Sequence, residues 1–424
     1  MKSQKSQSSK LKAEVKKLVT RRLSLVTLLL VTWHLTLVTA SYAKVYIDIT
    51  SPAVRKIPIS ITTKGPSEAK EIESIIMNDL EFTGLFAPVA PEVPGAEIVV
   101  QAEVNVSSDE TTVLWSLIDL IENKEVLKKR NAASKKSIRA IAHSISNDIY
   151  KYVTEKEGCF RTKISYLVYT APGNKELRLM DWDGYNSIKV IPIGLTSSHA
   201  WSNDSRFLMY SSERNRGWKI YLFDLNDFKE KVLFSSKGLN LVGNTSPQDE
   251  IAFSSSKDGN SEIFTINKNG TNLRKLTNSF GIDVSPVFSP DGTNIVFVSD
   301  RGGSPQIYIM DPNGRGIRRI TFEGTYNTSP SWSPDGKWLA YVGMKDGKNQ
   351  IFMIQSDGTE LRQLTFNGNN EGPSFSPDGL FLAFDSDRDG TRGVYIMRIN
   401  GAEQKRVTPM NTKAMAPKWS PYFK

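Results

Sequence analysis

Four residues, Ser-Pro-Asp-Gly, recur at Ser289-Pro290-Asp291-Gly292, Ser333-Pro334-Asp335-Gly336 and Ser376-Pro377-Asp378-Gly379, each after an aromatic residue, Phe288, Trp332 or Phe375. The spacings are 44 and 43 residues. Weaker copies at Trp201-Ser202 with Asp204, Ser246-Pro247 and Trp419-Ser420-Pro421 extend the series, placing its serines at 202, 246, 289, 333, 376 and 420. A period of about 40 to 45 residues made of short strands is that of propeller blades.

A second series runs in phase with the first: Asp183-Gly184, Asn269-Gly270, Asn313-Gly314, Asp357-Gly358 and Asn400-Gly401, with only the copy near Asp227 lacking its glycine. Asn-Gly and Asp-Gly are preferred in two-residue hairpins because both central residues need positive φ. Between the markers lie runs of period-2 alternation such as Asn294 to Val298 and Gln306 to Met310. One repeat is thus a four-stranded blade, its strands A to D running from inside to outside.

The series does not begin and end at a blade boundary. After residue 160 the first strands, at about Ile164 to Tyr169, Glu176 to Asp181 and Ser187 to Ile193, read as B, C and D, whereas the chain ends after a strand A at Pro417 to Ser420. The economical solution is a six-bladed, all-β propeller whose first blade is completed by the C-terminal strand, leaving no long open edge.

Each anchor has a structural explanation, since Pro presets the first turn position and Asp-Gly completes the turn between strands A and B. The preceding aromatics are expected to pack between neighbouring blades. Catalytic constellations are scarce. Beyond His34 only His143 and His199 occur, which excludes a multi-histidine zinc site and makes a Ser-His-Asp triad hinge on one of the two. His199 reads as a surface or blade-packing residue and His143 as a residue on a helix face. Pairs among Asp385, Asp387 and Asp389 offer oxygens to calcium, with solvated loops the commoner outcome. No catalytic, cofactor or metal residue is assigned.

Residues 1–43 read as a signal peptide, with eight Lys or Arg by Arg22, then an uncharged apolar run from Leu23 to Val38, then Ser41-Tyr42-Ala43. Cleavage is expected after Ala43, with Ala40 as the alternative site and an uncleaved anchor helix as the alternative fate. The eight cations face one acid, Glu14, a surplus of seven, so the formal +9 leaves about +2 for the exported chain. Nucleic-acid binding therefore loses its electrostatic basis. One cysteine, Cys159, permits no intramolecular disulfide, and none follows the apolar run to accept a lipid. The expected product is soluble and stabilised by its core.

Residues 44–160 lack the repeat. Val45 to Thr50 and Ile57 to Thr62 read as strands, and Ser67 to Glu81 as a helix with Ile72, Ile75, Ile76 and Leu80 on one face. Ile98 to Val106, Thr111 to Ile121 and Glu125 to Arg130 read as an antiparallel meander, and Lys136 to Glu155 as a second helix. A mixed sheet carrying two helices on one face results, an α/β domain before the propeller of residues 161–424. Pro88, Pro91, Pro94 and Gly95 read as a stiff connection.

Several stretches are similar to one family: Leu80-Glu81-Phe82-Thr83-Gly84-Leu85-Phe86, Cys159-Phe160-Arg161-Thr162-Lys163-Ile164-Ser165-Tyr166, Met180-Asp181-Trp182-Asp183-Gly184-Tyr185-Asn186, and Pro417-Lys418-Trp419-Ser420-Pro421-Tyr422. Together with the Ser-Pro-Asp-Gly copies and the order of domains, they resemble the periplasmic TolB family of the Tol-Pal system of Gram-negative envelopes. Two departures are a short stretch between Phe86 and Ile98 and the second anchor, Ser246-Pro247-Gln248-Asp249, which lacks glycine. The resemblance implies a monomeric, non-enzymatic periplasmic protein that binds the Pal lipoprotein and inner-membrane Tol proteins, supporting outer-membrane integrity and constriction at division. It also implies that Val45, Tyr46, Ile47 and Asp48 engage TolA, the alternative being an ordinary edge strand. Rival readings are a propeller-scaffold enzyme of peptidase or lyase type and a carbohydrate-binding propeller. The peptidase version needs a hydrolase domain after the propeller, where only four residues follow Ser420, and a lyase needs clustered histidines.

Both tight turns of each blade share one end of the propeller, so the longer B-to-C and D-to-A connections share the other, where recognition is expected. Six residues before each anchor serine stand Thr196, Asn240, Asp283, Asn327, Asn370 and Ala414, five of the six polar. The expected Pal face comprises Leu239, Asn240, Val242, Asp283, Val284, Asn327, Thr328, Asn370 and Glu371. Turn-making is the competing explanation for the polar ring.

Overall fold

A computed structural model describes residues 55–91 and 93–423. The expected signal peptide with Ala43, and the expected strand containing Val45, Tyr46, Ile47 and Asp48, lie outside the described residues.

The N-terminal part follows its sequence pattern closely. Strand β1 (Ile57–Lys64) leads into helix α1 (Ser67–Phe82), which buries Ala69, Ile72, Ile75, Ile76 and Leu80 at three- and four-residue intervals. A short β2 (Phe86–Pro88) pairs parallel to β1, and β1 pairs parallel to β3 (Ile98–Val106). Strands β4 (Glu110–Asp119) and β5 (Lys124–Ser134) complete an antiparallel meander, giving the order β2-β1-β3-β4-β5. Helix α2 (Ile138–Thr154) packs against α1 and the sheet, and a turn of 3₁₀ helix at Lys135–Ser137 precedes it. Part of the expected proline-stiffened connection is therefore strand: Pro88 ends β2 at the sheet edge, where its missing N–H costs nothing.

From Lys163 on, the chain is all strand. Four four-stranded antiparallel sheets follow one another, their inner strands at Asn240–Thr245, Asp283–Phe288, Asn327–Trp332 and Asn370–Phe375. A seven-stranded sheet takes both ends of the series. In it β6 (Lys163–Ala171), β7 (Asn174–Asp181), β8 (Ile188–Trp201), β9 (Phe207–Arg214), β10 (Gly217–Asp224) and β11 (Glu230–Ser235) follow in order, and the C-terminal strand Ala414–Trp419 pairs antiparallel with β6. The 14-residue β8 uses its first half beside β7 and its second half beside β9. Where the sequence suggests a D strand, a loop and an A strand, the backbone stays extended throughout.

The core lies between neighbouring sheets. Ala200, Met209, Ile220 and Leu222 of one sheet meet Ile251, Phe253, Phe264 and Ile266 of the next, and comparable clusters join the others. Indole nitrogens reinforce this: Trp332 Nε1 donates to the Val287 carbonyl at 3.2 Å and Trp201 Nε1 to the Lys418 carbonyl at 3.1 Å. The aromatics before the anchors thus pack where neighbouring inner strands meet. Described residues belong to one compact unit. Among them no helix is long and apolar enough to cross a membrane.

Candidate functional site

The anchors are turns. Ser289 Oγ donates to Asp291 Oδ1 at 2.5 Å and accepts from the Asn294 N–H at 3.0 Å, and the same pair of bonds recurs at Ser202, Ser333 and Ser376. In the copies at Ser202 and Ser246, which lack glycine, Ser205 and Asp249 adopt φ of 58° and 62°, the left-handed conformation that glycine supplies in the others. A cavity of about 550 Å³ opens at this end of the inner strands, lined by Trp201, Phe288, Trp332, Phe375 and Trp419 beside the anchor prolines.

At the opposite end the polar ring exists, but it faces inward. Asn240, Asp283, Asn327 and Asn370 are all buried. Asn240 Nδ2 donates to the Trp218 carbonyl at 2.8 Å while its Oδ1 accepts from Ser255 Oγ at 2.6 Å. Asn327 Nδ2 donates to Gln306 Oε1 at 2.8 Å, and Asn370 Nδ2 to Gln350 Oε1 at 3.0 Å. Asp283 accepts from Arg301 at 2.7 Å, just as Asn370 accepts from Arg388 at 2.7 Å. These four side chains tie the start of each inner strand to the preceding sheet, through Trp218, Gln306 and Gln350, or to the loop after the second strand of their own sheet, through Arg301 and Arg388, so they hold the rim and do not present themselves to a partner. The expectation of direct contact is corrected for them, and also for Val242, which is buried in an inter-sheet cluster. Of the remaining expected contacts Leu239 is exposed, whereas Val284, Thr328 and Glu371 are half-buried, Glu371 being tied to Asn349 and Arg392.

Sequence reasoning missed an apolar rim. Phe280, Ile282, Phe322, Tyr326, Phe366 and Met410 are exposed on the D-to-A connections, as are Leu195 and Leu239 at the corresponding places. These exposed groups are the candidates for a docking surface. A signal was available: Leu276-Thr277, Ile320-Thr321, Leu364-Thr365 and Val407-Thr408 precede the segments that carry six of these residues. Each threonine hydroxyl accepts a backbone N–H of the adjacent strand at 2.8 to 3.0 Å, fixing the base of its connection.

The stretches that carry the family resemblance meet where the N-terminal part adjoins the propeller. Phe82 at the end of α1 stacks on Phe381 with centroids 5.1 Å apart and lies 5.5 Å from Trp182, which meets Phe160 edge-on. Arg398 Nε donates to the Phe82 carbonyl at 3.0 Å, satisfying a helix-end acceptor. Gly84 sits beneath it with φ of 76°, and a Cβ there would lie 2.6 Å from the guanidinium carbon.

Within the junction, His143 Nδ1 is 2.8 Å from Asp79 Oδ2, and its Nε2 is 3.7 Å from Asp183 Oδ2, which Arg139 also engages. Burial opposes a charge on His143, yet Asp79 and Asp183 outweigh it and hold the imidazole above its usual range. These three residues are the one group of possible metal ligands among those described, their donor atoms within 4.8 Å of one another. Arg139 already neutralises Asp183, and Asp79 already engages Nδ1, so the set suits a proton better than a divalent ion.

His199 is buried on β8, where burial, together with Lys418, pushes its imidazole down to about 3. Asp385, Asp387 and Asp389 accept from Arg392, Asn369 and Tyr395 respectively, so their oxygens are already engaged. Burial pushes Asp385 up to about 7, against the pull of Arg392.

Residues 150–423 match the family described as the TolB beta propeller domain, and residues 45–126 the TolB amino-terminal domain. The Tol-Pal system protein TolB of Desulfosudis oleivorans is 33% identical over 189 residues, 44% of this chain and 43% of that one. The corresponding protein of Gluconobacter oxydans is 32% identical over 236 residues, 51% of this chain and 52% of its own. The match thus spans about half the length of these curated relatives. A crystal structure of TolB from Acinetobacter baumannii superposes with a TM-score of 0.79 at 26% identity, covering 87% of this chain and 97% of that one. With the propeller match alone covering more than half of its residues, the chain belongs to the TolB family.

Proposed function

We propose that this chain is a non-enzymatic periplasmic component of a Tol-Pal system that binds the Pal lipoprotein through the loop end of its propeller. The observation that carries this reading is the rim of exposed apolar side chains, Leu239, Phe280, Ile282, Phe322, Phe366 and Met410, on connections held rigid by buried Asn, Asp and Thr pegs. Rigid scaffolds with an apolar centre and a polar surround suit protein recognition. Leu239, Val284, Thr328 and Glu371 join this surface.

The propeller has six blades in this reading. The seven-stranded sheet counts as two, divided at β8, and the pairing of Ala414–Trp419 with β6 closes the ring. Residues 1–43 are removed on export after Ala43, and Val45 to Asp48 engage TolA-type inner-membrane proteins. The N-terminal domain, residues 44–160, and the propeller, residues 161–424, act together as a monomer supporting outer-membrane integrity and constriction at division, without cofactor or nucleic acid. A pull-down from detergent-solubilised envelopes with the tagged protein tests the reading. Recovery of Pal is expected, with loss of TolA but not Pal on deleting residues 44–50. Failure to recover either partner overturns it.

A further inference from the structure

We propose that His143 is the proton-bearing centre of a clamp that fastens the N-terminal α/β part to the propeller, so that the fastening loosens as pH rises. The clamp joins three elements. Asp79 comes from α1, His143 and Arg139 from α2, and Asp183 from the turn after β7, which belongs to the propeller. The side chains of Asp79 and His143 are almost fully buried, at 2% and 4% exposure, and those of Arg139 and Asp183 at 16% and 14%.

A proton on the imidazole balances the charges, and the imidazolium opposes the burial that pushes the Asp79 carboxyl up. Two carboxylates then face two cations. Loss of the proton leaves two carboxylates against Arg139 alone in a site walled by Trp182, whose ring meets His143 edge-on at 6.4 Å. A buried group left without its counter-charge is strongly unfavourable. Geometry gives the same answer. With Nδ1 donating to Asp79, a neutral ring would turn the lone pair of Nε2 toward the Asp183 carboxylate, and Nε2 is buried with no hydrogen-bond partner. A proton on Nε2 converts that repulsion into attraction.

The remaining groups around the site do not supply the missing charge. Asp181 is paired with Lys163, Ser146 donates to the Ala142 carbonyl, and the buried Cys159 thiol near Asp79 is held neutral by burial and by Asp378. Tyr185 lies under the Arg139 guanidinium, 3.7 Å from carbon to ring centroid, and keeps it at the junction.

The sign of the pH dependence follows from the direction of the shift. A histidine held above its unfolded value contributes stability that is fully present below about 6.5 and is lost as pH rises through the folded value. Because the Arg398 latch and the Phe82–Phe381 stack do not involve His143, the loss is expected to free α2 and the turn at Asp183 locally, leaving the propeller folded.

Imidazole NMR of the purified protein tests this, since the sequence has three histidines and a His143→Gln variant assigns the signal. The His143 ring should titrate above about 6.5. Its proton affinity should fall at least tenfold in Asp183→Asn, which preserves the shape of the turn. Hydrogen exchange in 138–154 and 181–186, corrected for intrinsic rates, should rise at least tenfold through the same titration. A His143 value at or below about 6.5, an unchanged value in Asp183→Asn, or exchange that ignores the titration would overturn the clamp. So would zinc or manganese abolishing the titration, which would identify a metal site instead.

Discussion

The indole nitrogen of Trp419 donates to the Thr162 hydroxyl at 2.7 Å, joining residues 257 positions apart at the two ends of the propeller segment. Nearby, the Ser420 N–H donates to the Lys163 carbonyl at 2.8 Å, and the Lys163 N–H to Ser420 Oγ at 3.0 Å. The last strand is held by its edge, by its side chains and by the residue beyond it. Removal of residues 414–424 would strip β6 of a partner and expose its edge. Such a truncation is expected to be insoluble or to melt far below the parent, and Trp419→Ala to cost about 3 to 5 kcal/mol in urea unfolding. An unchanged melting temperature in the truncation would contradict the closure.

Asp283 separates holding the rim from binding at it. Its carboxylate is fully buried against Arg301. Replacement by Arg sets two cations together and leaves no partner, so Asp283→Arg should destabilise the protein by about 3 to 5 kcal/mol. Circular dichroism melting would read this directly. Wild-type stability with lost binding would mean that Asp283 contacts a partner after all.

Gly84→Ala should weaken the junction by about 1 to 2 kcal/mol, because a left-handed backbone disfavours a Cβ and the new methyl presses on the Arg398 guanidinium. In Arg398→Ala the steric part disappears, so the two substitutions together should cost less than their sum. Strict additivity in chemical denaturation would argue against the contact.

His199 predicts the acid limb of the stability curve. Its folded value, pushed down to about 3, lies below the unfolded value of about 6.5, so the unfolded chain binds the extra proton. Stability from the neutral buried ring is therefore present above about 6.5 and falls by about 1.4 kcal/mol per pH unit from there toward 3. Urea midpoints of wild type and His199→Leu between about pH 4 and 7 should show the flatter slope in the variant. Parallel slopes would place the acid sensitivity elsewhere.

Much of the fold is legible in the sequence because the repeat encodes turns. Ser-Pro-Asp-Gly and Asn-Gly state their backbone conformations locally, and the period then gives the order of the strands, though β8 runs unbroken where a D strand and an A strand are expected. The polar ring shows the limit of such reading. Asn240, Asn327 and Asn370 recur on schedule whether they face inward or outward, and the partners that settle the matter, Trp218, Gln306 and Gln350, lie 20 to 22 residues away. The junction was legible only as separate strings. Arg398 and Phe82 are 316 residues apart, and no local pattern brings them together. Strand β2 escaped notice because Pro88 reads as a breaker, though at an edge it is tolerated.

Calorimetric titration of the purified protein with Pal tests the central claim most directly. Phe280→Arg and Ile282→Arg place a charge in the apolar rim, while Lys337→Glu alters the tight-turn end. Wild type and Lys337→Glu should bind alike, and each rim variant should lose more than tenfold in affinity, above about 1.4 kcal/mol, with melting unchanged. Equal affinity in all four proteins, or a loss confined to Lys337→Glu, would contradict the assignment of the loop end as the binding face.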